Sequence, residues 1–314
     1  PENVLEVNFD MNGATLSDIR IALIANAREV LFWEAESDES KTIPEPAIAA
    51  TSPAETQTVE ELYLIGLHLE QYRHATFNPA DYYLEGLKRE PNDVRCNNAM
   101  GLLLLRKGRF AEAEQYLRKA VKTLTTHNPN PYDGEPLYNL GLALRMQGRY
   151  DEAYDAFYKS CWNAAWQDAG YFSLAQISAL QGRFEDAFEE ASLSMTKNWH
   201  NHKVRHLKAY LLRTLGRTTE AEDLCKESLD IDRFNYGCKY ELYRLTGNKS
   251  ILEEMQVMMH NSADNYEEIA WDYAQIGAWG EAISILELAE VANCATPIIL
   301  YDLAYFTAQL GLDA

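Results

Sequence analysis

Several features that define other protein classes are scarce in this sequence of 314 residues. The five cysteines are widely spaced and form no CxxC pair, whereas disulfide frameworks and zinc sites usually need clustered cysteines. We therefore expect all five to be reduced and structural, which favours a cytoplasmic location. Unbroken apolar runs, such as the one that contains Gly101–Leu105, are far below the roughly 20 residues of a transmembrane helix. The composition thus predicts no membrane partner.

Positive charge is also in short supply. Lys and Arg number 28 against 48 Asp and Glu, which gives a formal net charge of −20. A surface of this sign repels phosphates, so nucleic acid is excluded as the main partner. Hydrophobic residues make up 47% of the chain and charged residues 24%, as is usual for a globular protein. The chain is therefore expected to bury a core of ordinary size.

An internal period is the clearest positive signal. A Gly-Arg-aromatic motif, or a variant of it, begins at Gly108, Gly148, Gly182, Gly216 and Gly277, and the second, third and fourth of these are 34 residues apart. An alanine follows five residues after each glycine. This period and motif resemble the tetratricopeptide repeat, a helix–turn–helix unit. The resemblance implies an all-α fold, a right-handed solenoid of stacked helical pairs.

Each recurring position in the period has a physical role. Leu140 and Leu144 recur at helical spacing and form the apolar stripe of a first helix. Gly141 lies within that stripe and allows the neighbouring helix to approach closely. Gly148 ends the helix, because glycine adopts the left-handed conformation of a C-cap. Ala153 occupies a slot in the second helix where a small side chain permits a tight crossing.

The repeats do not cover the whole chain. Residues 59–314 are predicted to form about seven helical pairs followed by a final single helix. Residues 36–58 are polar and rich in proline, as in a linker. Residues 1–35 are predicted to form a short β segment left from an upstream β-domain, because Val4–Phe9 alternates between apolar and polar positions and two further stretches read as strands. Its three expected strands are Val4–Phe9, Asp18–Ile24 and Glu29–Trp33.

Three further stretches carry a second resemblance. Residues 60–70, 128–134 and 198–202 are similar to parts of large bacterial multidomain proteins, in which an uncharacterised, mutarotase-like β-domain precedes tetratricopeptide repeats. This resemblance implies a carbohydrate-related setting and a chain that is part of a longer protein. It supplies no catalytic residue.

The repeat resemblance also predicts a binding groove, because the first helix of each pair lines the concave side of such a solenoid. The residues mapped to that side are rich in arginine and aromatic types, although the chain as a whole is acidic. That combination favours a protein or peptide partner, and an acidic one in particular. The alternative is that the aromatic residues only pack between helices. The predicted groove residues are Arg95, Asn98, Arg106, Tyr138, Arg145, Phe172, Gln176, Lys203, His206, Tyr210 and Arg213.

A second candidate pocket combines tryptophan with histidine. Its members lie in the links between repeats, where they either contact a ligand, a carbohydrate included, or knit neighbouring pairs together. The histidines could supply metal ligands, but no HExxH arrangement is present, and we predict no metal. The residues of this pocket are Trp162, Trp166, Trp199, His200 and His202.

Sequence motifs of catalysis are lacking. No glycine-rich phosphate loop follows a strand, no GxSxG elbow occurs, and no Ser/His/Asp or Cys/His set can be argued from spacing. The sequence therefore predicts a non-catalytic interaction scaffold that uses no cofactor. The alternative is an accessory or carbohydrate-binding region of a larger carbohydrate-processing protein.

Overall fold

The protein is described by a computed structural model, which divides the chain into two compact units, residues 1–51 and 52–314. No helix in the described part of the chain is long and apolar enough to cross a membrane. The described residues are 7–8, 10, 12–35, 43, 48–73 and 76–311.

The first unit contains an antiparallel hairpin of β1 (Arg20–Ala25) and β2 (Arg28–Glu34). The two connecting residues, Asn26 and Ala27, both have positive φ angles of 49° and 59°, as a tight turn between twisted strands requires. Every residue of both strands is exposed. The structure therefore confirms a short β segment with two of the three expected strands, and the third, Val4–Phe9, lies largely outside the described residues.

The regular secondary structure of the second unit is helical throughout its described residues. Within the described residues it forms fifteen α-helices, arranged as seven consecutive hairpins and a last helix, which confirms the predicted fold class. The helices are α1 (Val59–Gln71), α2 (Pro79–Arg89), α3 (Val94–Arg106), α4 (Phe110–Leu124), α5 (Glu135–Arg145), α6 (Tyr150–Ser160), α7 (Gln167–Leu180), α8 (Phe184–Lys197), α9 (His202–Thr214), α10 (Thr218–Ile231), α11 (Tyr236–Thr246), α12 (Lys249–Met259), α13 (Ala263–Ala274), α14 (Trp279–Val291) and α15 (Pro297–Gln309).

The turn inside each regular hairpin depends on its glycine. Gly148 has a φ of +75°, the left-handed conformation that other residues adopt only at a cost. The backbone N–H of Arg149 then donates to the carbonyl of Leu144 at 3.0 Å, which closes the end of α5. Equivalent hydrogen bonds end α3, α7, α9 and α13. The predicted role of glycine as the helix C-cap is thus confirmed.

Small residues set the distance between the two helices of a hairpin. A Cβ atom on Gly141 would lie 2.6 Å from Cε1 of Phe157, whose side chain is fully buried. Phe157 therefore occupies the space that the glycine leaves free. The alanine slot behaves in the same way, because its residue is fully buried in all five copies of the motif. These residues are Ala113, Ala153, Ala187, Ala221 and Ala282.

The first helices of neighbouring hairpins form an inner layer. Helix α3 contacts both α1 and α5, and α11 contacts both α9 and α13. The hairpin of α11 and α12 is irregular, since Gly247 and Asn248 alone connect its two helices. Beyond it, α13 packs against α9 as well as α11, and one continuous hydrophobic core extends from α7 to α15. The C-terminal hairpins therefore fold back onto the middle of the solenoid.

Candidate functional site

The inner layer presents two surfaces of different character. Over α1, α3 and α5 it carries a row of half-buried apolar and aromatic side chains, which we call the N-terminal concave surface. Over α7 and α9 the corresponding side chains are contacted by α13. The N-terminal concave surface is defined by Tyr63, Leu102, Leu105, Tyr138 and Leu142.

Two predicted groove arginines border the N-terminal concave surface and are already paired. Arg95 lies 2.7 Å from a carboxylate oxygen of Glu60, and its guanidinium stacks over the ring of Tyr63 at 5.1 Å. Arg106 forms an ion pair with Glu70. Since α1 supplies both acids, these pairs hold α3 against α1. The sequence analysis expected these two positive charges to bind an acidic ligand. In the structure, carboxylates of the chain itself balance them.

Amide side chains connect α3 to α5 along the same layer. The Nδ2 atom of Asn98 donates to Glu135 at 2.9 Å, and Nδ2 of Asn139 donates to Oδ1 of Asn98 at 3.0 Å. Asn139 is buried, so these hydrogen bonds satisfy groups that have lost contact with water. Asn98 therefore fixes the relative position of two helices.

Tyr138 also has a partner inside the chain. Its ring stacks on Trp166 with centroids 4.9 Å apart, and it lies 5.3 Å from the ring of Phe157. Trp166 is held in a short 3-10 turn, where a Cβ atom on Gly134 would lie 2.9 Å from its Cδ1. Trp166 thus packs between hairpins, while Tyr138 keeps one half-exposed side at the concave surface.

The C-terminal part of the predicted groove is covered by α13 and the turn that follows it. Nζ of Lys203 lies 2.8 Å from Asp272 and 3.1 Å from Glu268, both on α13. Nη2 of Arg145 donates to the backbone carbonyl of Gln275 at 3.1 Å. Residues 65 to 130 positions apart in the sequence meet here. These contacts replace the open cationic groove that the sequence predicted.

Gln176 and Phe172 lie under the same cover. Gln176 is buried; it accepts from Arg145 at 2.5 Å and donates to the side chain of Gln275 at 3.0 Å. Phe172 lines a small enclosed cavity between α7, α9 and α13, which has room for about one water molecule. Burial lowers the pKa of Arg145. The space left at these residues is too small for a peptide.

Arg213 belongs to a buried ionic network. It lies 2.6 Å from Glu241 on α11 and 3.0 Å from Glu281 on α14, and its guanidinium covers the ring of Tyr210 at 5.4 Å. Glu241 is fully buried and also accepts a hydrogen bond from the hydroxyl of Tyr273. Burial disfavours the charged guanidinium, but the two carboxylates outweigh it and raise the pKa of Arg213. The network joins α9, α11, α13 and α14.

His206 is the titratable centre of the cover. Its ring is buried, with Nδ1 at 3.4 Å from Asp272 and the ring of Tyr273 edge-on at 4.7 Å. Burial disfavours the imidazolium, but the hydrogen bond and charge of Asp272, together with Glu241, raise the pKa of His206. Burial likewise disfavours the Asp272 carboxylate, and His206 and Lys203 nevertheless lower its pKa.

A pH dependence of stability follows from His206. A raised folded-state pKa stabilises the fold fully below the unfolded value of about 6.5, and this contribution disappears as the pH rises through the folded value. We expect the free energy of unfolding, measured by urea titration, to fall from about pH 6.5 upwards. His206→Gln and Asp272→Asn should both flatten this slope. Lys203, Glu241, Cys238 and Tyr273 also face the ring. An unchanged slope in both variants would contradict the assignment of this pH dependence to His206.

The second candidate pocket is not gathered into one site. The ring of Trp199 stacks on the buried guanidinium of Arg205 at 4.3 Å. The Nε–H of Arg205 also donates to the backbone carbonyl of Trp199 at 2.8 Å. Nε2 of His202 lies 3.5 Å from Asp232, in a cleft between the first turns of α9, α11 and α13. Trp162 is exposed at the end of α6, and His200 is exposed in the link before α9. The described residues contain no group of three or more His, Cys, Asp or Glu arranged to hold a metal ion.

Sequence reasoning missed Asp272, Glu268, Gln275 and Glu281, the residues that partner the predicted cations. The sequence gives one indirect signal, the degenerate copy near residue 236, where the Gly-Arg-aromatic motif is missing. The cysteines agree with the expected structural role: Cys96, Cys161, Cys225 and Cys238 are buried and free, and Cys294 is half-buried and free.

Comparison with known proteins supports the assignment of helical repeats to this chain. Residues 93–161 and 202–235 match the tetratricopeptide repeat family. Two curated sequences from Plasmodium falciparum, both named Hsp70-Hsp90 organising protein, are 29% identical over 133 residues, or 42% of this chain. The aligned region spans only 52% of one of these relatives and 23% of the other.

A solved structure of pilF from Pseudomonas aeruginosa shares the fold. It is 16% identical, superposes with a TM-score of 0.54, and covers 64% of this chain and 90% of its own. At this identity the likeness concerns the fold alone. Together with the hairpin geometry, the family matches show that this chain contains tetratricopeptide repeats at residues 93–161 and 202–235, within a solenoid of helical hairpins.

Proposed function

We propose that the protein is a non-catalytic scaffold that binds a segment of a partner protein on the N-terminal concave surface. One observation carries the proposal: α13 covers the inner layer at α7 and α9, whereas the half-buried row on α1, α3 and α5 has no such cover among the described residues. Binding is therefore assigned to the first three hairpins.

The chemistry of this surface favours an apolar segment over a purely acidic one. Leu102 and Leu142 are half-buried on the two helices that approach each other there, so each offers apolar area to a partner. The neighbouring arginines, Arg95 and Arg106, have carboxylate partners at Glu60 and Glu70. A partner would gain mainly from covering apolar surface and aromatic rings. Exposed ion pairs at the border would add little affinity.

The relatives support the same class of function. Their printed name describes a protein that organises two chaperones, Hsp70 and Hsp90, which is a task of protein–protein contact. Purified Hsp70 and Hsp90 are accordingly reasonable first probes. The acidic partner, the carbohydrate-related setting and the cytoplasmic location stay predictions of the sequence.

The proposal can be tested with peptides. A random peptide library displayed on phage should enrich sequences that bind the whole protein, and isothermal titration calorimetry should then measure the affinity of the synthetic peptides. We expect Leu102→Glu and Leu142→Glu each to weaken this binding by about tenfold or more, because a carboxylate would lose its hydration under the ligand.

The control variant is Leu193→Glu on α8, where the side chain is 45% exposed and lies outside the inner layer. It should leave the affinity unchanged. Circular dichroism of all three variants checks that each remains helical. If Leu193→Glu weakens binding as much as Leu102→Glu does, the concave surface is not the site. If neither peptides nor the two chaperones bind, the scaffold proposal is wrong.

A further inference from the structure

The repeat places equivalent residues on the inner face of each first helix. In α3, α5, α7 and α9 these residues lie ten and six positions before the turn glycine, one helical turn apart, and so share one face of their helix. On α7 and α9 all four of them line the small cavity under α13. The N-terminal concave surface and the covered surface are thus built on the same positions of the repeat. The residues are Asn98 and Leu102 on α3, Tyr138 and Leu142 on α5, Phe172 and Gln176 on α7, and His206 and Tyr210 on α9.

The covered surface shows which kind of segment fits these positions. Its occupant is one face of a helix, since α13 and the turn after it present Ile269, Tyr273 and Ile276, which are spaced four and three residues apart and are all buried. The ring of Tyr273 lies edge-on to His206 at 4.7 Å and to Tyr210 at 5.6 Å. The inner layer of this solenoid therefore accepts a helix with an apolar stripe.

The covered surface continues directly into the N-terminal concave surface. Arg145, the last residue of α5, donates to the carbonyl of Gln275 just after the end of α13, and Leu142 lies one turn earlier on the same helix. Helices α3 and α5 also have a described hairpin on either side of them, α1–α2 and α7–α8. The uncovered part of the inner layer therefore begins where the internal helix ends.

The hydrogen bonds at the N-terminal concave surface favour a helix over an extended chain. An extended segment brings backbone N–H and C=O groups that must find partners when they are buried, whereas a helix pairs its own. The side chain of Asn98, which could pair with a peptide backbone, already donates to Glu135 and accepts from Asn139. Leu102 and Leu142 beside it offer apolar contact alone. This surface therefore rewards a ligand whose backbone is already hydrogen-bonded.

We propose that the partner segment binds the N-terminal concave surface as an amphipathic α-helix, with apolar side chains at positions i, i+4 and i+7 placed over Leu102 and Leu142. This inference rests on the proposed function and names the conformation of its ligand. The required pattern is the one that α13 presents through Ile269, Tyr273 and Ile276. A short helix is marginal in water, so the segment orders on binding.

The spacing of the contact positions in a bound peptide tests this inference. Each residue of a peptide selected from the random phage library is replaced in turn by alanine, and calorimetry measures its affinity for the whole protein. We expect the affinity to fall by about tenfold or more at three positions spaced three or four residues apart, because these side chains share one face of a helix. Losses at every second residue would indicate an extended ligand. That result would overturn this inference and leave the scaffold proposal standing.

A proline substitution in the peptide gives an independent check. Proline in the interior of a helix removes a hydrogen bond and clashes with the preceding turn. At a central position where alanine has no effect, proline should weaken binding by about a hundredfold, and the alanine peptide is the matched control. Equal affinities of the two peptides would refute a helical ligand. If neither peptides nor the two chaperones bind, the scaffold proposal and this inference fail together.

Discussion

Arg213→Met is expected to lower the free energy of unfolding by about 3–5 kcal/mol, because it leaves a buried carboxylate without its cation. Glu241 is fully buried and lies 2.6 Å from Arg213, so the substitution removes the positive charge that compensates for its lost hydration. The hydroxyl of Tyr273 remains as a hydrogen-bond donor, but it carries no charge. Urea unfolding followed by far-UV circular dichroism measures the loss.

The double variant Arg213→Met/Glu241→Met separates charge from packing. Removing both ions leaves no uncompensated charge, and apolar replacements of buried ion pairs are often close to neutral. We therefore expect the double variant to regain most of the stability that the single variant loses. If the double variant is less stable than Arg213→Met, the contribution of this network is not one of charge compensation.

Phe157→Ala is expected to destabilise the solenoid by about 3–5 kcal/mol, the range found when a large buried aromatic side chain is truncated. Phe157 is fully buried and fills the space opposite Gly141 in the first helix of its hairpin. Since glycine has no side chain to move into the cavity, the site is poorly placed to collapse. Urea unfolding of the whole chain gives the change in free energy.

The neighbouring residue supplies the control for Phe157. Tyr158 is 52% exposed, so Tyr158→Ala should change the free energy of unfolding by about 0.5 kcal/mol or less. Equal effects of the two substitutions would mean that the packing of α5 on α6 does not depend on the Gly141 contact.

The local architecture was predictable from the sequence because its causes are local. Gly148 requires only its own backbone conformation to end a helix, and the contact of Gly141 with Phe157 joins residues 16 positions apart within one hairpin. The buried alanine slot follows from the same short range. The turn glycine and the small residues recur in most copies at a constant period. The position of a copy that lacks the motif can therefore be inferred from the copies on either side of it.

The pairing of the concave cations was not predictable in the same way. Lys203 meets Asp272 across 69 positions, and Arg145 meets Gln275 across 130. Such contacts depend on how the small rotation between successive hairpins accumulates along the solenoid. The α11–α12 hairpin, with its link of only Gly247 and Asn248, lies between the two contacting segments, and no pattern within a single repeat predicts which distant hairpins meet.

The charge of the predicted groove could not be derived from the sequence for a related reason. Mapping Arg95 and Arg106 to the concave side identified their helix face, but a face does not show which neighbour neutralises a charge. Glu60 and Glu70 lie on α1, in the irregular first copy, where the repeat motif gives little guidance. The mapping therefore identified the arginines but not the carboxylates that pair with them.

The return of α13 onto α9 has a consequence for how the molecule comes apart. A linear array of hairpins unzips one unit at a time, since each unit depends only on those beside it. Here α9, α11 and α13 each contact the other two, so the hairpins that carry these helices cannot separate one at a time. We therefore expect these three hairpins to unfold as one cooperative unit, whereas each of the first three hairpins depends only on its neighbours and should open more independently.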